Sequence, residues 1–139
     1  MSDRFYITTP IYYTNDVPHI GHASTTIYAD VMARYNRLIG KNVFFLTGTD
    51  EHGEKVAQSA EKAGLMPQIF VDQMAEKWKS IWQNLEISND EFIRTTSDGH
   101  VKVASELLGR LRSAKTPLGK DAVYEGIYKG IYCIGCEEF

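Results

Sequence analysis

Two histidines three residues apart, His19 and His22, enclose Ile20-Gly21 directly behind Asn15-Asp16-Val17-Pro18. At that spacing both side chains share one face of a first helical turn, where unbonded backbone amides and the helix dipole favour an anion. A phosphate chain fits there, and it would favour the charged, donating form of an imidazole whose ordinary pKa is about 6.5. Gly21, lacking a Cβ, lets a planar base approach the backbone. A surface pair or a metal pair is the plainer reading of such histidines; their place between a strand and a long helix favours the phosphate. Asp50 follows an apolar run, where a charged partner would compensate a carboxylate for its desolvation, or where it would cap a helix. Cys133-Ile134-Gly135-Cys136 puts two thiolates two residues apart around a glycine turn, half of a zinc knuckle. Structural zinc takes four ligands, and His19, His22, His52 and His100 all lie far upstream, so the second pair is expected beyond Phe139. A redox Cys-x-x-Cys lacks its strand and helix context here, and Glu137 rules out a haem attachment.

These residues need elements to hold them. Phe5–Thr9 is rich in strand formers and stops at Pro10, which predicts a short buried strand. Asn15–Pro18 reads as a helix entry, followed by Ile27, Val31, Tyr35 and Leu38, with Tyr28 and Met32 beside them, as the buried stripe of a helix closed by Gly40. Val43–Thr47, bounded by Gly48, suits a parallel strand covered on both faces. A short helix over 54–63 ends at Gly64. Pro67 opens a longer one with Phe70, Met74, Trp78, Ile81 and Leu85 inward, which leaves Lys77 and Lys79 as solvated charges. Phe92–Arg94 is a third strand, and Val101, Ala104, Leu108 and Leu111 mark a helix starting near Ser97 or Asp98. Alternating strands and helices predict a doubly wound parallel α/β sheet, with ligands at the carboxyl ends of its strands. From about Lys115 the texture turns to loop chemistry, then to Tyr124, Ile127, Tyr128, Ile131 and Tyr132 as short twisted strands.

With 139 residues, a net charge of −3 and 43% hydrophobic residues, the composition is that of a globular domain. The acidic balance argues against indiscriminate nucleic-acid binding. No apolar run reaches the roughly 18 residues of a membrane span and no signal peptide opens the chain, so the expected compartment is the cytoplasm and no membrane partner is expected.

Thr8-Thr9-Pro10-Ile11-Tyr12-Tyr13, with Asn15 and Pro18-His19-Ile20-Gly21-His22, resembles the first signature of class I aminoacyl-tRNA synthetases, most closely the methionyl-tRNA synthetase family. Phe44–Gly53, Phe92–Thr96 and Tyr128–Cys136 resemble further segments of that family in the right order. The resemblance implies a Rossmann-like first half over residues 1–114 and the start of a zinc-bearing connective insertion over 115–139, in an amino-terminal portion of a longer enzyme. It implies that His19 and His22 hold the ATP phosphates, Gly21 lies under adenine, Asp50 binds the methionine ammonium, and Ile11 and Tyr13 line the side-chain pocket. Simple core packing is the alternative for Tyr13. The implied reaction joins methionine to ATP as methionyl-adenylate, with Mg2+ on the phosphates, and passes the methionyl group to tRNA(Met); Zn2+ would be structural on Cys133 and Cys136. His52 and Arg94 are read as structural, because nothing local offers them a charge. The family's second signature, a lysine loop, is absent, and Thr116–Asp121 is longer than the usual connection. Other class I synthetases, small nucleotidyltransferases with His-x-Gly-His, and a non-enzymatic nucleotide-binding fragment share parts of this pattern.

Overall fold

The computed structural model describes residues 3–133 and Cys136. It divides into two compact units, Met1–Thr95 and Thr96–Phe139. The first unit runs β1 (Arg4–Thr8), β2 (Tyr12–Tyr13), α1 (Ile20–Leu38), β3 (Asn42–Asp50), α2 (Glu54–Lys62), α3 (Pro67–Asn84) and β4 (Glu91–Arg94). All pairings are parallel and all are made to β3. Leu46 pairs with both Thr8 and Glu91, and Thr49 with both Tyr12 and Arg94, so β1 and β2 share one edge of β3 and β4 takes the other. Pro10, which has no N–H to give the ladder, falls in the break between β1 and β2.

The expected parallel α/β sheet is thus present, with three differences in its strands, the first being β2, a short strand just past Pro10 that the sequence did not mark. β1 is not buried, and β3 is not covered on both faces: Tyr6 is exposed together with Phe44 of β3, opposite it in register and stacked on it, so the sheet face they share is open there. The apolar run is longer than Val43–Thr47, and Gly48 lies inside β3 rather than bounding it. A Cβ at Gly48 would stand 2.1 Å from the Ile93 carbonyl oxygen, so only glycine lets β4 approach there.

Helix α1 begins at Ile20 with His19 as its N-cap, not within Asn15–Pro18, where Asp16 instead accepts the Val17 N–H at 2.7 Å. Its buried face is Thr26, Ala29, Asp30, Ala33 and Asn36, whereas Ile27, Tyr28, Val31, Met32, Tyr35 and Leu38 are all exposed. Small residues let the helix sit close on Phe45 of β3, with Ile7 and Val43 packed against the same cluster. In α3 the buried line is Val71, Met74, Ala75, Trp78 and Trp82, so the expected stripe holds at Met74 and Trp78 but leaves Leu85 outside. Lys79 is paired with Glu76 at 2.9 Å and sits over the Phe92 ring. Tyr12, Trp78 and Trp82 form a second buried cluster with Ala23, Ile81, Ile87 and Phe92 against it.

The second unit holds α4 (Asp98–Ser113), capped by the Ser97 hydroxyl, which accepts the His100 N–H, and none of the helix's residues is buried. An isolated antiparallel bridge joins Lys115 to Asp121, whose side chains also form an ion pair. Residues 124–132, expected as short strands, carry no regular structure and are exposed. Their apolar side chains alternate with Gly126 and Gly130, and strand propensity alone does not make a ladder. Ile134 and Gly135 lie outside the described residues.

Candidate active site

The loop from β2 into α1 and the first turn of α1 enclose a cleft of about 370 Å³, lined among others by Ile11, Tyr13, Asp16, His19 and His22. Its two histidines close the helix start between them. His19 Nδ1 accepts the Gly21 N–H at 3.0 Å, and His22 Nδ1 accepts the His19 N–H at 3.3 Å, a reciprocal capping box made by imidazoles. A ring nitrogen accepts only while it carries no proton, so the neutral rings bear theirs on Nε2. The rings stack at 3.7 Å between centroids. Burial, and then the neighbouring His19, hold the His22 pKa below its ordinary value. The site therefore presents His22 as a neutral Nε2–H donor, where the spacing alone suggested a charged one.

Gly21 is tied to the same geometry. A Cβ there would lie 2.9 Å from His19 Cε1 and 3.1 Å from His19 Nδ1. His22 also leans on Tyr12 and Trp78, at 4.9 and 5.1 Å between ring centroids. Tyr12 is buried, stacks on Trp78 at 5.0 Å, and shares a hydrogen bond with the Thr26 hydroxyl at 3.0 Å. Trp78 Nε1–H donates to the Asp16 carbonyl at 3.3 Å, so α3 braces the floor and one wall of the cleft. These supports were not legible in the sequence, where Trp78 reads only as a core residue.

Ile11 and Tyr13 are exposed on the cleft, so Tyr13 is not core; the buried ring is its neighbour Tyr12. Asp50 does not line the cleft but ends β3 opposite Tyr13 in register, and its carbonyl accepts the Thr14 N–H at 3.3 Å. It caps no helix: the N-cap of α2 is Gly53, without a side-chain bond. No partner for the Asp50 carboxylate is found among the described residues.

Arg94 does meet charge, from residues distant in sequence. Its Nε and Nη2 donate to the two carboxylate oxygens of Glu51 at 2.7 and 2.9 Å, and Nη2 also reaches Asp72 at 2.6 Å. The Glu51 hydrogen bond raises the Arg94 pKa most, outweighing desolvation, with Asp72 adding to it. His52 is exposed, with Nε2–H donating to the Thr95 carbonyl at 3.2 Å. Cys133 and Cys136 are exposed, and the Cys136 N–H donates to Cys133 Sγ at 3.4 Å. Among the described residues no group of three or more His, Cys, Asp or Glu could hold a metal.

A family model described as tRNA synthetases class I (M) matches residues 5–139. The chain belongs to the methionyl-tRNA synthetase family. A methionine–tRNA ligase from Thermotoga maritima is 55% identical over 136 residues, covering 98% of this chain and 21% of that protein. One from Streptococcus pneumoniae is 54% identical over 140 residues, covering all of this chain and 20% of that protein. The Mycobacterium tuberculosis methionyl-tRNA synthetase in complex with methionyl-adenylate superposes with a TM-score of 0.76 at 43% identity, covering 80% of this chain and 22% of that one. The chain thus spans about a fifth of the length of the curated synthetases it matches. Among the described residues no helix is long and apolar enough to cross a membrane.

Proposed function

We propose that the protein to which this chain contributes activates methionine with ATP and charges tRNA(Met). A methionine carboxylate oxygen attacks the ATP α-phosphorus, the bond to the β-phosphate oxygen breaks, and pyrophosphate carries away the electron pair. A hydroxyl of the terminal adenosine of tRNA then attacks the methionyl carbonyl and AMP leaves. No bond to the protein forms, so this chain's residues contribute alignment and charge stabilisation. His19 and His22 donate from Nε2 to ATP phosphate oxygens, and Gly21 leaves the first turn of α1 open to adenine. Asp50 takes the methionine ammonium. Ile11 and the Tyr13 ring meet the thioether, which is a weak acceptor best served by an apolar wall with one hydroxyl near it.

Mg2+ would arrive on the ATP phosphates and neutralise part of their charge. Cys133 and Cys136 fit half of a tetrahedral zinc site. The Cys136 N–H already donates to Cys133 Sγ, which draws the two residues into one turn, and the metal would brace the second unit. The tRNA contacts belong to the rest of the protein, and the cytoplasm is its compartment.

The observation that carries this reading is the imidazole capping box standing over one cleft with Ile11 and Tyr13. In the full-length enzyme, His19→Ala or His22→Ala should slow ATP–pyrophosphate exchange on the order of 100- to 1000-fold, with methionine affinity little changed. Exchange at the wild-type rate in both variants would remove the pair from the mechanism.

A further inference from the structure

Glu51 follows Asp50 directly, and its side chain is 0% exposed. A buried carboxylate at the end of a strand is costly unless every lone pair is met. Here Oε1 receives the Thr49 hydroxyl at 2.7 Å and Arg94 Nε at 2.7 Å, while Oε2 receives Arg94 Nη2 at 2.9 Å. Its amide is held as well, donating to the buried Thr95 hydroxyl at 2.9 Å. On the other side of the same peptide unit, the Asp50 carbonyl accepts the Thr14 N–H. The linkage therefore clamps both ends of the peptide that carries Asp50 and leaves the Asp50 carboxylate without a partner among the described residues.

We infer that Glu51, locked by Arg94, is a positioning residue for Asp50: the buried pair fixes the end of β3 so that the Asp50 carboxylate is held in place for a cationic ligand. Three features of the geometry support this. The planar guanidinium binds the carboxylate at two points, which fixes orientation as well as distance. Arg94 sits on β4, in register with Thr49 one residue before Asp50, so the lock ties two strand ends together where the sheet binds its ligands. Asp72 on α3, half exposed, takes the remaining reach of the guanidinium. Two carboxylates on one arginine meet the charge of that cation, which suits the pair to a structural lock.

This inference rests on the proposed role of Asp50, and the two are separable. In the full-length enzyme, methionine and ATP affinities are measured by calorimetry for Asp50→Asn, Glu51→Gln, and the two together. Glu51→Gln should weaken methionine about tenfold, as partners behind a contacting group do, and leave ATP within about twofold. If Glu51 acts through Asp50, the double variant should lose no more than Asp50→Asn alone. A general field effect or a loss of packing would instead multiply the two losses, and that result overturns the inference. Wild-type methionine affinity in Glu51→Gln, with Asp50→Asn impaired, overturns it too and leaves the ammonium site standing. Wild-type affinity in Asp50→Asn sinks both. Should Glu51→Gln fail to fold, Thr95→Val removes only the acceptor of the Glu51 amide: a methionine-specific loss, absent in the Asp50→Asn background, supports the lock, and its absence counts against it.

Discussion

The imidazole of His19 folds back over the first turn of α1, which leaves no room for a side chain at position 21. Alanine is a better helix former than glycine by up to about 1 kcal/mol, so Gly21→Ala should not destabilise the helix by propensity. Its Cβ would instead press on His19 Cε1 and displace the ring from the Gly21 amide. We expect pyrophosphate exchange on the order of 100-fold slower with only a small change in melting temperature, the propensity gain being offset by the lost cap bond; wild-type exchange would show that the cap is not needed for turnover. At this scale the sequence was legible where the chemistry is local. His19 and His22 meet within one helical turn, and their spacing alone brings them together. The charge that Arg94 meets was not legible, because Glu51 lies 43 residues away and no local pattern reveals a partner on a neighbouring strand. The core packing weighed for Tyr13 falls to its neighbour Tyr12, because a two-residue strand gives alternation too little length to mark its inner face.

The order of elements was legible, because strand formers, Gly breaks and Pro67 mark their ends; which face of α1 points inward was not. The apolar stripe of Ile27, Val31, Tyr35 and Leu38 dominates the helical period, yet the buried face is built from small and polar residues that fit close to the sheet. Asp30 belongs to that face. Its carboxylate accepts the Ser88 N–H at 2.7 Å, the Ser88 hydroxyl at 2.5 Å and Arg34 Nε at 2.6 Å, tying α1 to the segment between α3 and β4. Burial works to raise its pKa, but the Ser88 and Arg34 bonds outweigh it and hold it below the ordinary carboxylate value. Asp30→Ala leaves the Ser88 amide without its acceptor and should cost about 1–3 kcal/mol. A carboxyl depressed in the folded state contributes fully above its unfolded pKa of about 3.9 and loses that contribution as pH falls through the folded value. The stability gap between wild type and Asp30→Ala in urea titrations should therefore be constant from pH 7 to pH 5 and narrow below about pH 4. A gap that does not depend on pH would assign the bonds to packing alone.

For the molecule as a whole, the chain carries one half of what the proposed reaction demands. The histidine pair, the cleft and Asp50 lie within Met1–Thr95, but no lysine-rich loop follows them in these residues, so phosphate charge in the transition state would be met only in part. The face of α1 from Ile27 to Leu38 and Tyr6 on β1 are exposed apolar surface. The 139 residues expressed alone should bind nucleotide without charging tRNA. Their zinc should be held weakly, because Cys133 and Cys136 offer two thiolates where a closed tetrahedral site has four ligands and resists chelators. Methionylation and zinc content, measured together on the purified 139 residues after dialysis against a chelator, check both expectations. Robust charging, or one zinc retained per chain, would mean that these residues complete the site by themselves, and the division of labour proposed between this chain and the rest of the enzyme would fall.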